Sequence, residues 1–122
     1  MPIVYEQDAP LFEAGATTIR GLTSPSRGAQ DVATWRVRFA PSDPSPTHSL
    51  TREEIFVILN GSLTARFADH DETARAGDAL IIPAGQPFLL IAEDGAAEAI
   101  CVMPVGGQAI TEAGTFTPPW AQ

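Results

Sequence analysis

The sequence holds one cysteine, Cys101, in 122 residues. A single thiol cannot close an intramolecular disulfide, and it excludes every cysteine-rich zinc module. It suits a reducing compartment. Positive charge is scarce as well: seven basic residues stand against 15 acidic ones, for a formal net charge of −8. Such a surface repels nucleic acid and anionic membranes, so neither is expected as a partner. A small anion could still enter an internal pocket if an arginine lay there. No apolar run approaches the roughly 20 residues that span a bilayer. The opening "MPIVYEQDAP" has neither the basic segment nor the apolar core of a secretory signal. The expectation from these absences is a cytoplasmic protein.

Helical periodicity is also missing. What is present instead is a series of short apolar runs, with 21 proline and glycine residues between them. "VATWRVRFAP", "EEIFVILNGSLTARFA", "DALIIPAGQPFLLIA" and "EAICVMPV" read as strands rich in Val, Ile, Phe and Trp, and "ATTIRGLTSP" as one more. "ADHDET", residues 68–73, reads as a hairpin turn. "PSDPSP", residues 41–46, reads as an extended connector, and "TFTPPWAQ" as an extended tail, because Pro118 and Pro119 cannot join a central strand. Hydrophobic residues at 44% and charged residues at 18% make a globular chain, long enough for one domain with its own core. Many short strands at close spacing imply an all-β sandwich or barrel.

Two motifs carry more than fold class. In the first, His48 is followed by Glu54, and Gly61 stands six residues beyond that glutamate's neighbour Ile55. In the second, Gly77 leads after five residues to Pro83, Ala84 and Gly85. Gly61 and Gly77 fall where strands turn sharply, a place that favours positive φ. With this framework the chain resembles a cupin, a double-stranded β-helix or jelly-roll barrel, over roughly residues 33–105, with the remaining residues in the same single domain. The family's first motif is a glycine, five residues, His-x-His, three or four residues, Glu, six residues, Gly. Its second is a glycine, five residues, Pro-x-Gly, two residues, His, three residues, Asn. The resemblance implies that His48 and Glu54 take two metal-ligand positions. It also implies that Leu50 and Phe88 occupy the places of two further histidines, with Ser42 and Ala92 in place of the leading glycine and closing asparagine.

One imidazole and one carboxylate hold a divalent ion weakly. Catalytic zinc takes three protein ligands, and non-haem iron takes two histidines and a carboxylate. Substitute donors are few: Gln86, Cys101, and His70 out on the hairpin turn. The expectation is therefore a pocket without a cofactor. A divalent metal (Zn, Fe, Ni or Mn) on His48 and Glu54 is the alternative.

Alternation along "EEIFVIL" puts Glu54 on one face with Phe56 and Ile58. If that face is interior, burial raises the carboxyl pKa. Leu50, Phe56, Gln86, Phe88 and Leu90 are then candidates to line a ligand cavity. Arg36 is a candidate to grip a carboxylate if its strand faces inward, although Trp35, Val37 and Phe39 favour the opposite assignment, with Arg36 and Arg38 outside. Cys101 reads as a small buried apolar residue, and Trp120 as tail packing or a contact across the barrel or a partner.

Three functions stay open. One is a metal-independent pocket for a small molecule, in which His48 and Glu54 perform acid–base isomerisation, cyclisation or elimination on a carbonyl compound. The second is a metalloenzyme with a reduced ligand set, of dioxygenase, isomerase or polyketide-cyclase type. The third is a non-catalytic binding or sensory module. The outward residues of "IFVIL" need a cover, and a second copy of the chain would supply it, so a homodimer is expected.

Overall fold

Every second residue of Val32–Phe39 is buried: Ala33, Trp35 and Val37, with Phe39 half-buried. This two-residue period, repeated along the chain, sets the inner face of the whole molecule. A computed structural model describes residues 3–41 and 44–122. Among them are β1 (Leu11–Ala14), β2 (Thr17–Thr23), β3 (Val32–Phe39), β4 (Ser49–Leu50), β5 (Glu54–Asn60) and β6 (Ser62–Arg66). There follow β7 (Asp71–Arg75), β8 (Ala79–Ile82), β9 (Leu89–Ile91), β10 (Ala97–Pro104), β11 (Ala109–Thr111) and β12 (Gly114–Phe116). No α-helix occurs among the described residues; three short 3₁₀ turns complete the set.

One layer is a six-stranded sheet in the order β1-β2-β3-β10-β5-β8. The other consists of two three-stranded sheets, β12-β11-β4 and β7-β6-β9. These two meet where His48 and Phe88 exchange backbone bonds of 3.0 and 2.8 Å. The all-β jelly-roll expected from the sequence is what the chain forms. Between the layers lie Trp35, Phe56, Ile58, Leu63, Ile82, Phe88 and Met103, each at most 4% exposed. Each such side chain contributes about 1.5–3 kcal/mol by leaving water.

The turn glycines behave as their positions require. Gly61 has φ +72° between β5 and β6, where a Cβ would collide with the Ala96 carbonyl oxygen; Gly77 has φ +94° before β8. The hairpin expected at residues 68–73 joins β6 to β7, although β7 already begins at Asp71.

Two readings need correction. The tail is not simply extended: Gly114–Phe116 pairs with β11, and Pro119–Ala121 then closes as a 3₁₀ turn. Pro119 fits the start of that turn because its missing N–H is not needed there. β1, β4, β7, β11 and β12 were also not read as separate strands, being two to five residues long. Ser42, compared above with the family's leading glycine, and Asp43 of the connector lie outside the described residues.

Candidate functional site

Glu54 opens β5 with its side chain turned inward. Phe56 and Ile58 follow on the same face, and Ile82 pairs with Glu54 from β8. The residue is 6% exposed. Burial pushes its carboxyl from the ordinary value up to about 8, and no neighbouring charge or hydrogen bond among the described residues offsets that push. At neutral pH Glu54 is therefore a protonated acid in apolar surroundings.

It faces a cavity of about 300 Å³ between the two layers. The wall is mostly hydrocarbon and aromatic ring, contributed by both layers: Ile19, Trp35, Val37 and Phe39 from β2 and β3, Leu50 from β4, Phe56 from β5 and Met103 from β10. Cys101 on β10 lies in register with Trp35 on one side and Phe56 on the other, fully buried. Burial drives its thiol well above the usual range, the nearby Glu54 raises it further, and a hydrogen bond with Trp35 offsets part of the rise. Cys101 is thus the buried residue expected from the sequence, and its place in the cavity wall was not foreseen.

His48 also lines the cavity and is half-buried. Its Nδ1–H donates to the Pro46 carbonyl oxygen (3.1 Å), because a carbonyl can only accept; this leaves Nε2 as the nitrogen free to exchange a proton. The imidazole packs against the Phe88 ring at 4.4 Å between centroids.

Of the residues singled out in the sequence, the cavity brings together His48, Leu50, Glu54, Phe56 and Leu90. Phe88 is buried beside His48 but forms no part of the cavity wall; its ring is taken up by the imidazole. Gln86 lies outside as well. The neighbouring Gly85 N–H is tied to the Leu50 carbonyl at 2.7 Å, and Gln86, half-buried, follows in that loop without reaching the cavity wall. Arg36 points away from the cavity, since its neighbours Trp35 and Val37 take the inner face. Its Nη1 donates to Glu98 at 2.7 Å, and Nε lies 3.5 Å from Glu6. The assignment of Arg36 as a ligand grip is therefore corrected, and Arg38 is exposed on the same outer face.

The part of the wall that sequence reasoning missed is the C-terminal segment. Thr111, Phe116, Pro118 and Trp120 close one side of the cavity. The Trp120 ring sits 6.4 Å from Trp35 and 6.2 Å from Phe12, and its indole N–H is buried without an acceptor among the described residues. A contact of Trp120 across the barrel was one of the alternatives that "PPW" left open; the part played by Thr111, Phe116 and Pro118 was not among them. The placement comes from β11 pairing with β4, about 60 residues earlier.

Among the described residues no three His, Cys, Asp or Glu side chains come together in a way that could hold an ion. His70, the other histidine, is exposed on the β6–β7 turn and donates from Nδ1 to Asp69 at 2.7 Å.

A model of the Cupin domain family matches residues 35–103. The polyketide cyclase RemF from Streptomyces resistomycificus superposes with a TM-score of 0.76 at 23% identity, over 85% of this chain and 79% of that one. KdgF from Halomonas sp. gives 0.72 at 11% identity, over 85% and 93%. A variant of Bacillus subtilis oxalate decarboxylase gives 0.74 at 18% identity, with 85% of this chain covering 30% of that protein. At these identities the likeness is one of fold. No curated protein sequence matches the chain at a significant level.

Proposed function

The chain belongs to the cupin family, and from that premise we propose that its barrel is a small-molecule site in which Glu54 and His48 perform acid–base chemistry without a metal ion. The single observation behind this reading is the Glu54 carboxyl, buried in an apolar cavity and held protonated to about pH 8. An acid with that pKa both donates and recovers a proton near neutrality, which is where general acid–base catalysis is most effective.

The step that suits this pair is proton transfer at a carbonyl compound. Glu54 gives its proton to the carbonyl oxygen while Nε2 of His48 takes one from the adjacent carbon, leaving an enol, a carboxylate and an imidazolium. Returning the proton to a different carbon, or closing a carbon–carbon bond from the enol, gives isomerisation or cyclisation. The fold likeness to a polyketide cyclase is in keeping with the second outcome. Leu50, Phe56 and Leu90 hold the substrate and keep water away. The chain contains no lysine, so the reaction does not run through a lysine Schiff base.

The same proposal includes a homodimer. Ile55, Val57 and Leu59 of β5, Ile81 of β8, and Ile100 and Val102 of β10 point outward from the large sheet, and Val57, Leu59 and Ile81 are 36, 36 and 57% exposed. A second copy laid on this face would cover them.

Two measurements test the reading. Elemental analysis of protein purified without a histidine tag is expected to find no stoichiometric zinc, iron, nickel or manganese. Chelation is then expected to leave turnover of a responsive carbonyl substrate unchanged, whereas Glu54→Gln removes it. A stoichiometric metal lost on His48→Ala would refute the metal-free assignment. Equal turnover by wild type and Glu54→Gln would refute the role of Glu54.

A further inference from the structure

The cavity offers a ligand hydrogen-bond donors but no cation. The chain's seven basic residues are all arginines, and none of them lines the cavity. Arg20 donates to the Ala9 carbonyl, Arg27 to the Trp120 and Leu22 carbonyls, Arg36 to Glu98 and Arg66 to Asp71. Arg38, Arg52 and Arg75 are exposed. Among the described residues a protonated His48 is the one positive charge the wall could supply, and its Nδ1 is already spent on the Pro46 carbonyl. An anion entering here would give up its water without recovering a counter-charge.

A cation would fare little better, although five aromatic rings stand in the wall. It would need Glu54 as a carboxylate. Among the described residues no N–H or O–H supports that anionic form, so an ammonium–carboxylate pair would be desolvated on both sides with its remaining valences unmet. The neutral polar groups that the wall presents are the carboxyl of Glu54, the hydroxyl of Ser45, which accepts from the Leu90 N–H and keeps its own O–H to give, and Nε2 of His48. The Glu54 carboxyl and the Ser45 hydroxyl both call for acceptor oxygen on the ligand. The volume of about 300 Å³ equals that of about ten waters in the liquid, room for a small organic molecule.

Building on the reading of the cavity as the ligand site, we infer that the ligand is an uncharged small organic compound bearing a carbonyl-type acceptor oxygen, and that carboxylates, phosphates and ammonium ions are rejected. The selectivity comes from neutral donors in a hydrocarbon wall, without any charged clamp. Glu54 is the residue that reads the oxygen.

Four near-isosteric probes test this: 1-indanone, 1-aminoindane as its ammonium ion, indane-1-carboxylate, and indane itself. Both tryptophans of the chain, Trp35 and Trp120, line the cavity, so their emission reports occupancy. At neutral pH, 1-indanone is expected to bind at least about tenfold more tightly than either ion, and about tenfold more tightly than indane. Glu54→Leu is expected to bring 1-indanone down to the level of indane, whereas Glu54→Gln, which retains a neutral donor, keeps most of the preference. If the ammonium or the carboxylate binds as well as the ketone, and Leu50→Trp blocks it, the ligand class is wrong while the cavity stands as the site. If none of the four binds, the ligand class and the cavity reading both fail.

Discussion

His48 and Phe88 face each other across the bridge that joins the two small sheets, with their rings 4.4 Å apart. The bridge bonds fix both backbones, and Phe88, at 1% exposure, fills the space beside the imidazole. Phe88 therefore acts on the site through His48. Phe88→Ala is expected to cost about 3–5 kcal/mol of stability, as large-to-small core substitutions do, and Phe88→Leu about half that or less. Denaturant midpoints check both. A loss below 1 kcal/mol for Phe88→Ala would mean that the bridge stands without the ring.

If two missing donors are what keep metal out, restoring them should let it in. Leu50→His together with Phe88→His rebuilds the donor pattern that the resemblance implies, adding two imidazoles to His48 and Glu54. The double variant is expected to take up about one zinc or nickel ion per chain, with wild type binding far more weakly, because three or four protein ligands make a stable site. Calorimetric titration measures both proteins. Equal affinity for the two would locate the obstacle to metal elsewhere in the barrel.

Burial of Glu54 makes stability depend on pH, with a definite sign. Its pKa in the folded chain is raised to about 8, so between the ordinary carboxyl range and that value the folded state holds a proton that the unfolded state has released. Stability from this group is fully present below the unfolded pKa. It declines as pH rises, on the order of a few kcal/mol in all, and levels off above about pH 8. Glu54→Gln lacks this slope. Midpoint differences between the two proteins from about pH 5 to about pH 9 isolate the contribution; a constant difference would mean that Glu54 titrates normally. Turnover that needs the protonated acid is expected to fall over the upper part of the same range.

The parts of the site that were legible in the sequence are those governed by local rules. Alternation along "EEIFVIL" put Glu54 on one face with Phe56 and Ile58, a face the fold turns inward, and the positive φ of Gly61 and Gly77 followed from their places in the turns. Alternation on β3 also favoured Arg36 outside, which is where Glu98 holds it. The misses are non-local. Phe88 shares a period with Leu90, yet only the pairing with His48 determines that its ring is spent on the imidazole. Gln86 depends on how the Pro83–Gly85 loop is tied to Leu50. The aromatic wall of Phe116 and Trp120 rests on a strand pairing that no neighbouring residue announces. Distance along the chain, more than residue type, marks where sequence reasoning ended.

The outer face of the large sheet supplies the next expected outcome. Val57 is in register with Ile100 and Ala79, and Ile55 with Val102 and Ile81, so these side chains form one continuous apolar area. Placing charge there, as in Val57→Arg with Ile81→Arg, is expected to turn a wild-type dimer into a monomer with little loss of core stability, because neither residue is in the core. Sedimentation at several concentrations reads the result. A monomeric wild type would remove the case for the dimer.

The C-terminal wall is held by a clamp whose parts can be removed singly. The Arg27 guanidinium donates to the Trp120 carbonyl at 3.1 Å and to the Leu22 carbonyl at 3.3 Å, and the Ser26 N–H donates to the Gln122 carbonyl at 3.0 Å. Gly21 lies beneath, where a Cβ would come within 2.5 Å of the same guanidinium. Hydrogen bonds from a charged donor contribute about 1.5–3 kcal/mol each. Arg27→Ala should therefore release the last turn and expose Trp120, which acrylamide quenching of its emission would register. Trp120→Phe should behave oppositely. It keeps a ring against Trp35 while deleting an N–H that is buried without an acceptor among the described residues, so stability is expected to hold or rise despite the smaller ring. A marked loss on Trp120→Phe would show that the indole nitrogen has a partner after all, and an unaltered quenching profile in Arg27→Ala would show that the clamp is not what holds the wall.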